Sequence, residues 1–160
     1  MNIEQAFIKT EKVNEATKFI KSRLESSPDI SGTQPDVGLP NSYDSILAVE
    51  PKRKIAISEE KKGWVSILES KEVNDYKMLL ELSNELNTEV YAIVISDVTS
   101  SCGFAEINKG NVIESYFSED EEDIQGFINN TLVKKGIEIP VCIFREVASR
   151  KIPGWQVISK

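Results

Sequence analysis

The longest stretch of consecutive apolar positions is Val90-Tyr-Ala-Ile-Val-Ile, which runs on into Ser96 and Asp97. Both of its faces are apolar, Val90, Ala92 and Val94 on one and Tyr91, Ile93 and Ile95 on the other. That pattern predicts a central strand, covered on at least part of both faces, over residues 90–97. The rest of the chain can be organised around it. Residues 4–9 alternate about Ala6 and Ile8, with Phe7 between, and read as a first strand. Thr10 offers an N-cap hydroxyl. Over 11–25, Val13, Ala16, Phe19, Ile20 and Leu24 fall at helical spacing, and Pro28 ends the helix because proline cannot continue its ladder.

Residues 29–43 carry Pro35, Pro40, Gly32 and Gly38 among several Ser, Thr and Asn, and are expected to form one long loop within the domain. Short strands are predicted at 45–50, 54–58 and 64–69, the last two joined by the polar turn 59–63. Ser70 is placed as the cap of a helix over 71–86, whose stripe is Val73, Tyr76, Leu79, Leu80, Leu82 and Leu86, with Asn87 as its left-handed terminator. After the central strand, 103–107 and 111–117 read as a hairpin about Asn108-Lys-Gly-Asn111. Ser118 and Glu121 have capping-box spacing. They are expected to open a helix over 119–135 on Ile124, Phe127, Ile128, Leu132 and Val133, ended by Gly136. Residues 139–144 and 156–158 are expected to be the last strands.

The predicted order is β-α-β-β-β-α-β-β-β-α-β-β. It implies one α+β domain over residues 1–160, with a mixed, mostly antiparallel sheet and three helices on one face. The early β-α-β-β-α-β run is compatible with a ferredoxin-like core. A helical crossover makes the 64–69 and 90–97 strands parallel.

Composition narrows function mainly by exclusion. The chain of 160 residues has no histidine, which removes Ser-His-Asp and Cys-His nucleophile activation, histidine zinc sites and histidine general bases. Its 26 acidic and 19 basic residues give a formal charge of −7. That disfavours nonspecific nucleic-acid binding, which needs cations against phosphates, and suits a basic partner. No apolar run approaches the ~20 residues of a membrane helix, and the N-terminal residues lack a secretory pattern. A cytoplasmic location with Cys102 and Cys142 as free thiols is therefore expected, with no cofactor and no membrane partner.

Two stretches hold candidate chemistry. Asp97-Val-Thr-Ser-Ser-Cys102 follows the central strand, where α/β proteins often place reactive groups. Asp97 and Cys102, with Trp64, are the candidate pocket residues. No cation stands near Cys102 in sequence to lower its thiol pKa, and a turn is the simpler reading. The acidic run Glu119, Asp120, Glu121, Glu122 and Asp123 is the candidate partner-binding surface. It is not an EF-hand: counted from Asp120, Gln125 holds the glycine position and Thr131 the glutamate position. A capped helix N-terminus accounts for most of the acids there, and a docking surface for a basic protein is the competing reading. Glu69, Glu106 and Glu114 lie on strands that can neighbour one another, the minimum for a carboxylate pair. Lys52, Arg53, Lys54, Lys61 and Lys62 surround one hairpin and read as a solvated edge.

The succession Gly63-Trp-Val-Ser-Ile67, a helix through Leu79 to Leu86, the strand at 90–97, then Asn108-Lys-Gly-Asn-Val-Ile-Glu-Ser-Tyr116 resembles small acidic uncharacterised bacterial proteins, some of them immunity partners of secreted toxins. It covers roughly 40% of the chain, about residues 54–118. The resemblance implies a non-catalytic protein that works by binding another protein. A small-molecule-binding or sensory domain is the alternative, and a histidine-free enzyme the third reading.

Overall fold

The computed structural model describes residues 2–26 and 53–159. The long loop at 29–43, the strand at 45–50 and the stop at Pro28 lie outside the described residues. The strands are β1 (Asn2–Lys9), β2 (Lys54–Ser58), β3 (Trp64–Glu69), β4 (Glu89–Ser96), β5 (Ser101–Asn108), β6 (Asn111–Ser118) and β7 (Trp155–Ser159). The helices are α1 (Val13–Ser26), α2 (Tyr76–Glu85), α3 (Ile124–Lys135) and the short α4 (Phe144–Ala148).

The strands form one sheet in the order β6-β5-β4-β1-β3-β2-β7. Every neighbouring pair is antiparallel, so the expected mixed sheet is corrected to an antiparallel one. The β3 and β4 strands do run parallel, as a helical crossover requires, but β1 lies between them and pairs with both. This insertion makes β1-α1-β2-β3-α2-β4 a split β-α-β, ferredoxin-like core. The β5–β6 hairpin extends it at one edge and β7 at the other.

Helices cover both faces of the sheet, not the one expected. On the first face, Ala16, Ile20 and Leu24 of α1 and Met78, Leu79 and Leu82 of α2 pack on Ala6, Ile8, Ile55, Ile57, Val65, Ile67, Val90 and Ala92. On the second, Phe7, Trp64, Tyr91, Ile93 and Ile95 meet Ile128 and Leu132 of α3, with Ile137 and Ile139. Ala56 and Leu68 extend that face against Cys142 and Val147. The doubly apolar β4 is the consequence: each of its faces has its own layer.

Three local expectations are corrected. α2 starts at Tyr76, not near 71, because Glu72 takes a left-handed φ of 60° that breaks the helical run. Its cap is Asp75, which accepts from Met78 N at 3.1 Å. Ser70 instead accepts from Lys54 N at 2.9 Å, tying β2 to the end of β3. α3 starts at Ile124 with Asp123 as its cap, accepting from Gly126 N at 2.9 Å, so Ser118 and Glu121 form no capping box. Residues 139–143 are not a strand. They lie across the second face, where Cys142 N donates to Gln5 Oε1 at 3.0 Å and Gln5 Nε2 donates to the Pro140 carbonyl at 3.3 Å.

The β5–β6 turn forms as expected. Lys109 and Gly110 both have positive φ (51° and 82°), the signature of a type I′ hairpin matched to strand twist. Gly103, within β5, answers a different need. A Cβ there would lie 2.5 Å from the Tyr116 carbonyl oxygen and 3.0 Å from the Phe117 ring. Glycine is what lets β6 close onto β5 at this point.

Candidate functional site

The residues proposed as a pocket from the sequence do not meet. Trp64 pairs with Lys9 at one end of β1, while Ser96, just before Asp97, pairs with Asn2 at the other. Seven residue steps separate those ends, roughly 23 Å at ~3.3 Å per residue. Trp64 is buried in the second-face core. Asp97 is exposed in a tight turn. In that turn Ser100 has a φ of 50° and the Thr99 and Ser101 hydroxyls share a 2.6 Å hydrogen bond. Cys102 is buried opposite Ile95. Burial, with the nearby Glu121 charge, pushes its thiol pKa up; burial and Glu146 push that of Cys142 up to about 12. Neither thiol is poised as a nucleophile. Both should resist a maleimide at neutral pH for a time that fully labels the urea-unfolded chain; rapid native labelling, read by intact mass, would show the site to be open.

The acidic run bridges β6 and α3, and its members do different jobs. Asp123 caps α3. Glu121 is held at both ends: its N–H donates to the Ser100 carbonyl at 2.9 Å and its carboxylate accepts from Asp123 N at 3.2 Å. Glu119, Asp120 and Glu122 are exposed.

Beside this run, at the β4–β5–β6 end of the second face, side chains converge that sequence spacing did not join. Phe104 stacks with Tyr91 (5.2 Å between ring centroids), Tyr116 (5.9 Å) and Phe127 (6.5 Å), and Tyr116 stacks on Phe127 at 5.9 Å. A cleft of ≈ 400 Å³ opens here, lined in part by Tyr91, Glu106, Glu114, Thr131 and Lys134. In its lining, Lys135 Nζ contacts Glu89 at 2.6 Å and Glu106 more closely, and lies 5.5 Å from the Tyr91 ring centroid.

The register places Glu106 opposite Glu114, so the cross-strand carboxylate pair forms, without Glu69. The Lys135 ammonium holds the Glu106 carboxyl below its ordinary pKa. Burial, opposed by a hydrogen bond from Thr131, keeps the Tyr91 hydroxyl protonated well beyond neutral pH. Glu69 sits far across the sheet on β3, gripped by Arg53. Of the basic set, Arg53 is therefore part of a half-buried cluster around the buried Glu69, not a solvated edge, and Lys52 lies outside the described residues. Among the described residues, no three carboxylates or thiols converge closely enough to hold a metal ion.

The feature the sequence did not reveal is the position of β6. It is an edge strand, and among the described residues nothing pairs with its outer side. Seven of its eight residues are exposed, including Val112 (53%), Ile113 (61%), Tyr116 (44%) and Phe117 (60%). Glu114 is its sole charged residue, and it has neither lysine nor proline. Edge strands are usually guarded by such residues or by a covering element. The hairpin was legible from its turn; edge position depends on the order of all seven strands.

Comparison with family models, curated proteins and solved structures finds no match. Among the described residues, no helix is long and apolar enough to cross a membrane.

Proposed function

We propose that this chain is a non-catalytic binding protein that docks a basic partner protein on the β6 edge and the acidic segment that follows it, in the manner of an immunity-type inhibitor. The observation that carries the reading is the juxtaposition of a largely apolar, exposed strand, whose outer side no described residue pairs with, and a concentrated negative charge. Residues 111–123 hold six acids and no lysine or arginine. Exposed apolar groups supply contact area, and the acids select sign and speed encounter. The stacked Tyr116, Phe104 and Phe127 rings place a continuous aromatic surface beside the edge. A small ligand is the weaker reading, because Lys135 and Glu106, which line the cleft, are already paired with each other, and Lys135 also with Glu89.

The test uses two baits in a native lysate at low salt: the chain itself and a variant carrying Glu119→Lys, Asp120→Lys and Glu122→Lys. These positions are exposed and leave the Asp123 cap and the Glu121 contacts intact. The expected result is a basic protein retained by the wild-type chain and lost by the variant. A protein held equally by both baits, or an acidic one, would overturn the reading.

A further inference from the structure

Resting on that reading, we infer that the partner is recognised by strand addition: an extended, basic segment of it pairs with the outer edge of β6 and becomes the eighth strand of the sheet. The outer side of an edge strand presents a row of unpaired N–H and C=O groups, which an incoming strand satisfies while its alternate side chains read the two faces. In β6 those faces differ. Glu114, Tyr116 and Ser118 share the second face with their partners Glu106, Phe104 and Cys102. Phe117 lies on the first face, over Gly103.

An added strand therefore meets a carboxylate and an aromatic ring on one side, and the Phe117 ring with the Ser115 hydroxyl on the other. Cationic side chains on its second face and β-branched apolar ones on its first fit this alternation. The cation nearest Glu114 would stand at the mouth of the cleft, where Glu114 is exposed.

Charge decides between a partner and a second copy. Each copy has a formal charge of −7, so like charge opposes self-pairing, whereas a basic strand is drawn to Glu114 and to Glu119, Asp120 and Glu122 beyond the strand's end. The bulge between Glu106 and Ile107 falls near the hairpin turn. It leaves 114–118 as the regular stretch on which a new ladder would form.

The probe is a short capped peptide of alternating lysine and valine, compared with the same peptide N-methylated at every backbone amide. Methylation keeps the charge and removes every ladder donor. Amide spectra and hydrogen exchange of the full chain are recorded at low salt. The plain peptide should shift and protect amides of β6, and the methylated one should bind about tenfold more weakly or worse.

Equal binding of the two peptides would overturn strand addition and leave acidic docking standing. Absence of binding by both would overturn it, as would a free chain that is already dimeric with β6 protected. The Glu119→Lys, Asp120→Lys, Glu122→Lys variant separates the two ideas. If it binds the plain peptide as the wild type does, the acidic reading fails, while the methylation contrast still judges the strand pairing.

Discussion

Arg53→Met should destabilise the fold by about 3 kcal/mol or more at neutral pH, the cost of breaking a buried ion pair by removing one partner. Glu69 is 5% exposed, and both its oxygens are held by Arg53, Nη2 to Oε1 at 2.5 Å and Nε to Oε2 at 3.0 Å. The same guanidinium reaches Asp75 Oδ2 at 2.9 Å. It thus joins the end of β3 to the cap of α2. Burial raises the Glu69 pKa even with Arg53 present to oppose it, and without Arg53 it rises further.

The sign of the pH dependence follows. A carboxyl whose folded pKa lies above its unfolded value weakens the fold as pH rises through that folded pKa. The stability difference between variant and wild type should therefore be small in acid and largest at neutral pH. Urea unfolding at about pH 4.5 and about pH 7 reads this difference; a deficit independent of pH would place its origin in packing alone. Methionine keeps most of the stem volume, so little of the loss should come from a cavity.

Gln5→Ala should cost about 2–4 kcal/mol. Gln5 is buried in β1, and its amide holds the second-face segment to the sheet through Ser66 Oγ at 2.8 Å, Pro140 O and Cys142 N. Truncation leaves the Cys142 N–H unpaired away from water, worth ~1–3 kcal/mol, and adds a small cavity. Gln5→Met separates these costs, since it refills the volume without restoring the bonds. Most of the loss should persist in Gln5→Met, with faster exchange of the Cys142 amide. Full recovery of stability in that variant would show that volume, not hydrogen bonding, is what Gln5 supplies.

These two positions show what a linear reading misses. β2 and β3 were legible to the residue, at 54–58 and 64–69, because their alternation is bounded by turn chemistry, and β4 to within one residue at each end. The left-handed Asn87 and the 108–111 turn were legible for the same local reason. The start of α2 was not. Ser70 and Asp75 both have capping chemistry, and the choice between them rests on a tertiary bond from β2. Residues 139–143 form a short, mostly apolar run as a core strand does, but such a run reports burial, and here the burial is against a sheet face with Gln5 supplying the hydrogen bonds. Gln5, directly before the apolar run Ala6-Phe7-Ile8, was the available clue.

The site was legible only in parts. The acids at 119–123 were visible, as was the hairpin before them. Their placement beside an edge that no described residue pairs with follows from a strand order that no local pattern encodes. Trp64, Asp97 and Cys102 looked promising because each lies on or just beyond a core strand, and the register then separates Trp64 from the other two by nearly the length of β1.

The most direct test of acidic docking is the association rate of the captured basic partner across ionic strength. Steering by Glu119, Asp120 and Glu122 acts over about 8 Å at physiological salt and over much longer distances in dilute buffer. The wild-type rate should fall steeply as salt rises, and the Glu119→Lys, Asp120→Lys, Glu122→Lys variant should associate slowly with little salt dependence. A wild-type rate that ignores salt, or a variant with the same slope, would contradict acidic docking.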